Sequence, residues 1–184
     1  MSYLKHNGQM VVSSGSYLIK TPTIFDDWFL PSFDEFEQIK INLYDEGIGS
    51  YNPQYWTSSE TSATFATCID MATGGVVSYA KSVTTPRGRA ARTFTAGVGA
   101  YALGVVGPAG GNIFYVDGGT TYYEAASADT DIASSTWSNI STLIGTTLEA
   151  IGEGQNNTDE IIAQIGFTAG VAKVCDDLVV ISYK

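Results

Sequence analysis

Two helix-start signals stand far apart in this chain, and most of what lies between them reads as short strands and turns. The first is Ser32, behind Pro31, with Glu35 three residues on; the second is Asn157 with Glu160. In such a capping box the first side chain accepts from the helix backbone and the acidic one reaches back to the cap. Phe36, Ile39 and Leu43 follow the first signal at helical spacing, so a helix with that face buried is expected, ended by Gly47 and Gly49. Ile161, Ile162 and Ile165 follow the second. Gly166 then stops the helix, and Thr168 is placed to cap a third helix over 169–178 with Val171, Val174, Cys175 and Leu178 inward. Helices grouped around a run of strands define an α+β chain.

The strand signals are local. Asn7-Gly8 and Ser14-Gly15 mark turns between short apolar runs, and Pro22 is expected to end pairing there, so residues 1–22 read as a small β appendage. Residues 64–70 and 76–80 flank Thr73-Gly74-Gly75 as a hairpin, and 89–95 reads as a further strand. The glycine-rich stretch 96–111 is a flexible or closely packed connection. Residues 112–116 and 121–126 flank Asp117-Gly118-Gly119 as a second hairpin. Residues 127–157 are polar and turn-rich around Trp137, and the final 179–184 reads as a strand.

With 184 residues, the chain has the length of one domain or one domain plus an appendage, large enough to hold a core without metal or disulfide. No apolar run reaches the roughly 18 residues of a membrane span, and the first residues lack the apolar segment of an export signal. The formal charge is −10. Residues 1–95 hold seven cations against nine acids, and residues 96–184 hold two against ten, hence −2 and −8. A chain so acidic is not expected to bind nucleic acid, whose phosphates demand cations.

The usual chemistries find few parts. His6 is the single histidine and lies in the terminal appendage, poorly placed for a nucleophile–base pair. Two cysteines and one histidine fall short of the four ligands of a structural zinc site. Cys68 and Cys175 read as buried thiols, although a disulfide also fits the sequence. The glycine-rich run 104–112 lacks the Lys-Ser/Thr of a phosphate loop and leads into a strand. The neighbouring carboxylates Asp26-Asp27, Asp34-Glu35 and Asp176-Asp177 suit caps and water better than a catalytic pair across a cleft. Asp129-Thr130-Asp131 is an acidic loop without EF-hand spacing. No catalytic residue, metal site or cofactor is therefore expected. All three arginines, Arg87, Arg89 and Arg92, lie within six residues, and Glu60 with Arg92 is the expected structural polar pair.

Several motifs together resemble a known family. Asp27-Trp28-Phe29-Leu30-Pro31-Ser32 followed by Asp34-Glu35-Phe36, Tyr55-Trp56-Thr57-Ser58-Ser59-Glu60, and Gly88-Arg89-Ala90-Ala91-Arg92-Thr93-Phe94 resemble three of its signatures. So do residues 107–119, which resemble its opening strand, and 144–147, 152–158 and 174–178, which resemble its first helical region. The family is the domain at the C-terminus of collagen-like bacterial adhesins, and the resemblance, over roughly 24–184, implies a C-type-lectin-like fold. The order of the motifs is reversed: the family's second half comes first, at 24–95, and its first half follows the linker, at 104–184. The resemblance thus implies a domain that is circularly permuted, or one whose halves are swapped between subunits. Pairing of the family's first and last strands would place the old ends together, and the new ends, near Thr23 and Tyr183, should lie side by side. The calcium-dependent sugar motifs of animal lectins are absent from the sequence, and neither cysteine sits in a motif of the related formylglycine-generating enzymes.

These readings converge on a non-enzymatic virion protein of a tailed bacteriophage: a fibre, decoration or receptor-binding subunit. The display-type fold, the low charge, the missing export signal and the opening residues 5–18, which resemble segments of phage structural proteins, all favour it. The alternative is a bacterial cell-surface adhesin or glycan-binding module. A homo-oligomer, a trimer by analogy, is expected, with other virion proteins and a host-surface glycan or protein as partners and no membrane insertion. Trp137, Tyr51 and Tyr55, aromatics set among hydroxyls, are the candidate ligand-binding residues.

Overall fold

In the computed structural model, which describes residues 4–6, 9–11, 17–18, 21–133 and 135–183, the chain is a mixed α+β fold built on antiparallel sheets and three helices. Strands β1 (Leu4–His6), β2 (Gln9–Val11) and β3 (Tyr17–Leu18) pair in that order, with His6 opposite Gln9. The Asn7-Gly8 and Ser14-Gly15 turns themselves lie outside the described residues.

Strand β4 (Pro22–Phe25) leads into helix α1 (Phe33–Ile39), which continues as a π-helical turn at Lys40–Tyr44. The expected cap at Ser32 is present: its hydroxyl accepts from the Glu35 N–H and the Glu35 carboxylate accepts from the Ser32 N–H. Phe36, Ile39 and Leu43 are buried, as their spacing requires. The π turn closes with Asp45 N–H donating to the Lys40 carbonyl, and Gly47, at φ 70°, ends the segment in a conformation other residues avoid.

Strands β5 (Gln54–Glu60), β6 (Phe65–Asp70) and β7 (Val76–Ala80) form a meander. Strands β8 (Ala91–Thr95), β9 (Asn112–Asp117) and β10 (Thr121–Ala125) form a second sheet in the order β8-β10-β9. Strands β8 and β9, which the resemblance would pair, therefore do not pair directly; β10 lies between them. Arg89 precedes β8 because its backbone leaves the ladder at Gly88, which bonds to Ile132 instead.

Helix α2 (Gly154–Ala163) begins three residues before the expected cap. Asn157 is buried inside it, donating to the Leu148 carbonyl and accepting from its N–H, so it fastens a loop instead of capping a helix. Glu160 receives the Thr146 hydroxyl. Helix α3 (Val171–Asp176) starts behind Gly170, and the Thr168 N–H is taken by Asn139, which leaves Thr168 out of the cap. Strand β11 (Val180–Tyr183) pairs antiparallel with β4, Ser182 opposite Thr23 and Tyr183 opposite Pro22. Pro22 thus begins a strand, a position where a missing N–H is tolerated, and does not end pairing.

Two apolar clusters fill the interior. One gathers Trp28, Leu30, Trp56, Trp137, Cys68, Ile161, Val171 and Cys175; the other gathers Phe29, Phe36, Ile39, Leu43, Tyr55, Ile69, Phe114 and Tyr123. The segment 27–33 contributes to both and bonds to β5, β8, α2 and the loop before α2. Phe29 exchanges both backbone hydrogen bonds with Ala91, the Pro31 carbonyl accepts from Ser58, and Leu30 N–H donates to the Thr158 hydroxyl at 3.0 Å. The Ser32 hydroxyl donates to the Ala150 carbonyl and the Ser59 hydroxyl accepts from Phe33.

Glu35 is buried among these contacts without a cation, and burial pushes its carboxyl up from 4.5 to about 7 despite hydrogen bonds from Ser32, Gly152 and Gly154. A raised carboxyl pKa means that the folded state binds the proton more tightly than the unfolded one. Its contribution is greatest below pH 4.5 and is lost as pH rises through 7. The stability of wild type relative to Glu35→Gln should therefore fall by up to about 3 kcal/mol between pH 4.5 and 8. Paired urea unfolding curves at several pH values check this, and a flat difference would contradict it.

Candidate functional site

Segments 96–111 and 127–153 contain little regular structure, so their backbone N–H groups need acceptors other than a ladder. Buried glutamates supply many of them. Glu124, on β10, accepts from Ala109 N–H at 3.1 Å and Gly111 N–H at 2.8 Å. Gly111 passes so close to the Ala125 carbonyl that any side chain would collide with backbone. The glycine-rich run thus does cradle an anion, but the anion is the protein's own carboxylate. Glu60, at the end of β5, accepts on one oxygen from Ile144 N–H at 2.9 Å and Gly145 N–H at 3.1 Å. Glu35 accepts from Gly152 N–H at 3.0 Å and so holds the same loop region near the start of α2.

Two of these carboxylates carry buried cations. Glu60 pairs with Lys81, both side chains about 1% exposed. Lys81 also donates to the Thr142 carbonyl, and its ammonium lies 4.7 Å from the centre of the Trp137 ring. Glu124 pairs with Arg92 at 3.2 Å, and Arg92 makes a bidentate pair with Asp27 at 2.7 and 2.8 Å. Glu60 and Arg92 are therefore not partners of each other, contrary to the sequence-based expectation. Arg92 stands directly opposite Glu124 on the neighbouring strand, whereas Glu60 faces the residue that follows β7. Arg89 is buried against Asp131 at 2.5 Å and donates to the Ser50 carbonyl.

The three candidate ligand residues belong to this interior. Trp137 is fully buried, its indole N–H donates to the Thr57 carbonyl at 2.7 Å, and it offers no face to a ligand. Its polar neighbours are explained by a loop that crosses over the core. Tyr55 is fully buried, stacks on Phe36 and donates its hydroxyl to Asp131 at 2.6 Å. Burial pushes that hydroxyl up to about 12, outweighing the nearby Arg89. Tyr51 is half-buried, its ring 4.1 Å from the Arg89 guanidinium carbon and edge-on to Tyr55 and Tyr44. Tyr51 and Tyr55 do come together around Arg89 and Asp131, while Trp137 belongs to the separate Lys81 site.

Asp131 is engaged by Arg89, Tyr55 and Asn52, and the Asp129 side chain lies outside the described residues. Among the described residues no group of three or more His, Cys, Asp or Glu is placed to hold a metal ion. Both cysteines are free and buried, and burial pushes both thiols upward, so neither is a thiolate at neutral pH. Lys81 and Glu124, the partners that sequence reasoning missed, carried one signal each: a lone cation directly after a strand, and a lone acid inside an aromatic strand. No known protein family, curated protein or solved structure matches the chain.

Breaking a buried pair leaves an uncompensated charge. Lys81→Met should cost about 3–5 kcal/mol, and adding Glu60→Gln should return a large part of it. Additive losses in urea unfolding would show that the pair is not coupled. Trp137→Ala should cost about 3–5 kcal/mol through the cavity and the orphaned Thr57 carbonyl. Thermal unfolding of that variant checks this, and an unchanged midpoint would contradict the buried position.

Proposed function

We propose that the protein is a non-enzymatic virion structural protein of a tailed bacteriophage, a fibre, decoration or receptor-binding subunit that displays a lectin-like domain with permuted halves. The observation that carries the reading is the meeting of the family-like motifs at one buried junction. Asp27 of the first motif binds Arg92 of the third, Pro31 accepts from Ser58 of the second, and Leu30 is held by Thr158 of the helical region. Motifs separated by up to 128 positions converge as parts of one scaffold. The side-by-side pairing of β4 with β11 fits the same reading, since those strands flank the new ends.

The polar groups support display over catalysis. Glu35, Glu60, Glu124 and Asp131 each hold loops or strands in place, and such rigid scaffolds present surface loops to partners. Under this reading, residues 1–22 serve as an attachment to the particle or to sister chains, and a host-surface glycan or protein is the external ligand. Fluorescently labelled full-length protein should bind intact cells of a susceptible bacterium. Competition by the purified surface polysaccharide would place the ligand among glycans. Absence of binding to any cell, together with absence of the chain from purified phage particles by mass spectrometry, would overturn the proposal. Export to the surface of the bacterium that encodes it would favour the adhesin alternative.

A further inference from the structure

Among the described residues, one buried ion pair has an amine as its cation. Arg89 and Arg92 meet their carboxylates with guanidinium groups, which stay protonated and do not attack carbonyls. Lys81 meets Glu60 with a primary amine, and both side chains are about 1% exposed. The Lys81 Nζ is in direct contact with Glu60 Oε1. The other oxygen, Oε2, accepts from two consecutive backbone N–H groups, Ile144 at 2.9 Å and Gly145 at 3.1 Å. Gly145 stands at φ 81°, a region that glycine enters freely. Two such donors on one oxygen are the arrangement that holds negative charge when a nucleophile adds to a carbonyl carbon. The Trp137 ring lies 4.7 Å from the amine and covers it, and the Thr142 carbonyl accepts from the amine at 3.3 Å. The backbone on each side is fixed. Lys81 N–H donates to the Thr64 carbonyl and its carbonyl accepts from Trp137 N–H, both at 2.9 Å, while Glu60 N–H donates to the Thr147 hydroxyl at 3.0 Å.

We infer that Lys81 and Glu60 condense to an amide, an isopeptide bond that the chain forms within itself with no other reactant. The ammonium passes one proton to Oε1, which leaves an amine beside an uncharged acid. The nitrogen then adds to Glu60 Cδ, and the charge that develops on Oε2 is held by Ile144 and Gly145 N–H. A second proton moves from nitrogen to the Oε1 hydroxyl, the C–Oε1 bond breaks, and one water leaves. The third proton stays as the amide N–H. Each polar atom of the product already has its partner: that N–H faces the Thr142 carbonyl, and Oε2, now the amide oxygen, keeps both backbone donors. Amine and carboxyl held in contact by fixed backbone react as one molecule and not as two. An ion pair kept out of water carries a desolvation cost that a neutral amide avoids. Exclusion of water also removes the reactant of the reverse step. Lys173 supplies a contrast within the same chain: it touches Asp177, but those side chains are 38% and 61% exposed, so that pair stays ionic. The bond ties the end of β5 to the residue after β7, across the middle strand of the meander. The inference does not depend on the display role proposed above.

The mass of the full chain reads this directly. Folded protein, held at neutral pH and then denatured for intact-mass spectrometry, should be lighter by one water than its sequence, counted with or without Met1. Trypsin should leave the bond after Lys81 uncut, and chymotryptic cleavage at Phe65 should leave the flanking peptides joined through Glu60 and Lys81. Lys81→Met should have its full sequence mass. If that variant does not fold, Lys81→Arg keeps the cation without a nucleophilic amine and should likewise lose no water. A wild type at full sequence mass overturns the inference. So does a loss of water that persists in the Lys81 variants, or that the peptides place elsewhere, as in a cyclic imide at Asp117-Gly118.

Discussion

Carboxylates buried beneath irregular backbone are the constraint on which this fold rests. A backbone N–H removed from water must find an acceptor, and segments 96–111 and 127–153 have little ladder to supply one. Glu35, Glu60 and Glu124 each extend a carboxylate from an ordered element to such a segment. The arrangement turns loops into defined structure without helices or strands. Its cost is desolvation of the charge, and the three sites meet that cost differently. Glu60 and Glu124 are offset by Lys81 and Arg92. Glu35 has hydrogen bonds alone, which is why burial dominates its proton affinity.

This division bears on what the sequence could reveal. The Ser32–Glu35 cap was legible because both halves of the interaction lie within one helical turn. The inward face of Phe36, Ile39 and Leu43, and the hairpins around 73–75 and 117–119, were legible for the same reason. The charged pairs were not. Choosing between Glu60 and Glu124 as the partner of Arg92 requires knowing which strand lies beside β8, and that depends on a connection of 16 residues that crosses the sheet. Trp137 illustrates a different failure. Its neighbours are serines, threonine and asparagine, and their polarity describes the backbone's surroundings while the indole turns inward to Thr57. Asn157 resembled a cap because Asn before an apolar run often is one; its amide instead closes a loop nine residues back.

The junction at 27–33 explains how sequence-distant pieces share one interior. Asp27 and Phe29 hold β8, Pro31 and Phe33 hold β5, and Leu30 holds α2, so the segment works as a hub and not as a connector. Ser58, Ser59, Ala91, Arg92, Ala150 and Thr158, distant in sequence, all bond to this hub. A permuted order would preserve it, because the contacts depend on proximity in space and not on the order in which the chain visits them.

Strand β4 enters the hub directly, and this has a mechanical consequence. Tension applied through the residues before Thr21 runs along β4 and arrives at Phe25, Trp28 and the bidentate clamp of Asp27 on Arg92. Strand β11 pairs along the whole of that path, so its hydrogen bonds to β4 are loaded in shear. The clamp behind them is an ion pair backed by a buried tryptophan and joined through Glu124 to the sheet. A tethered molecule of this design would carry its load through Arg92 into the sheet as well as through the neighbouring strand.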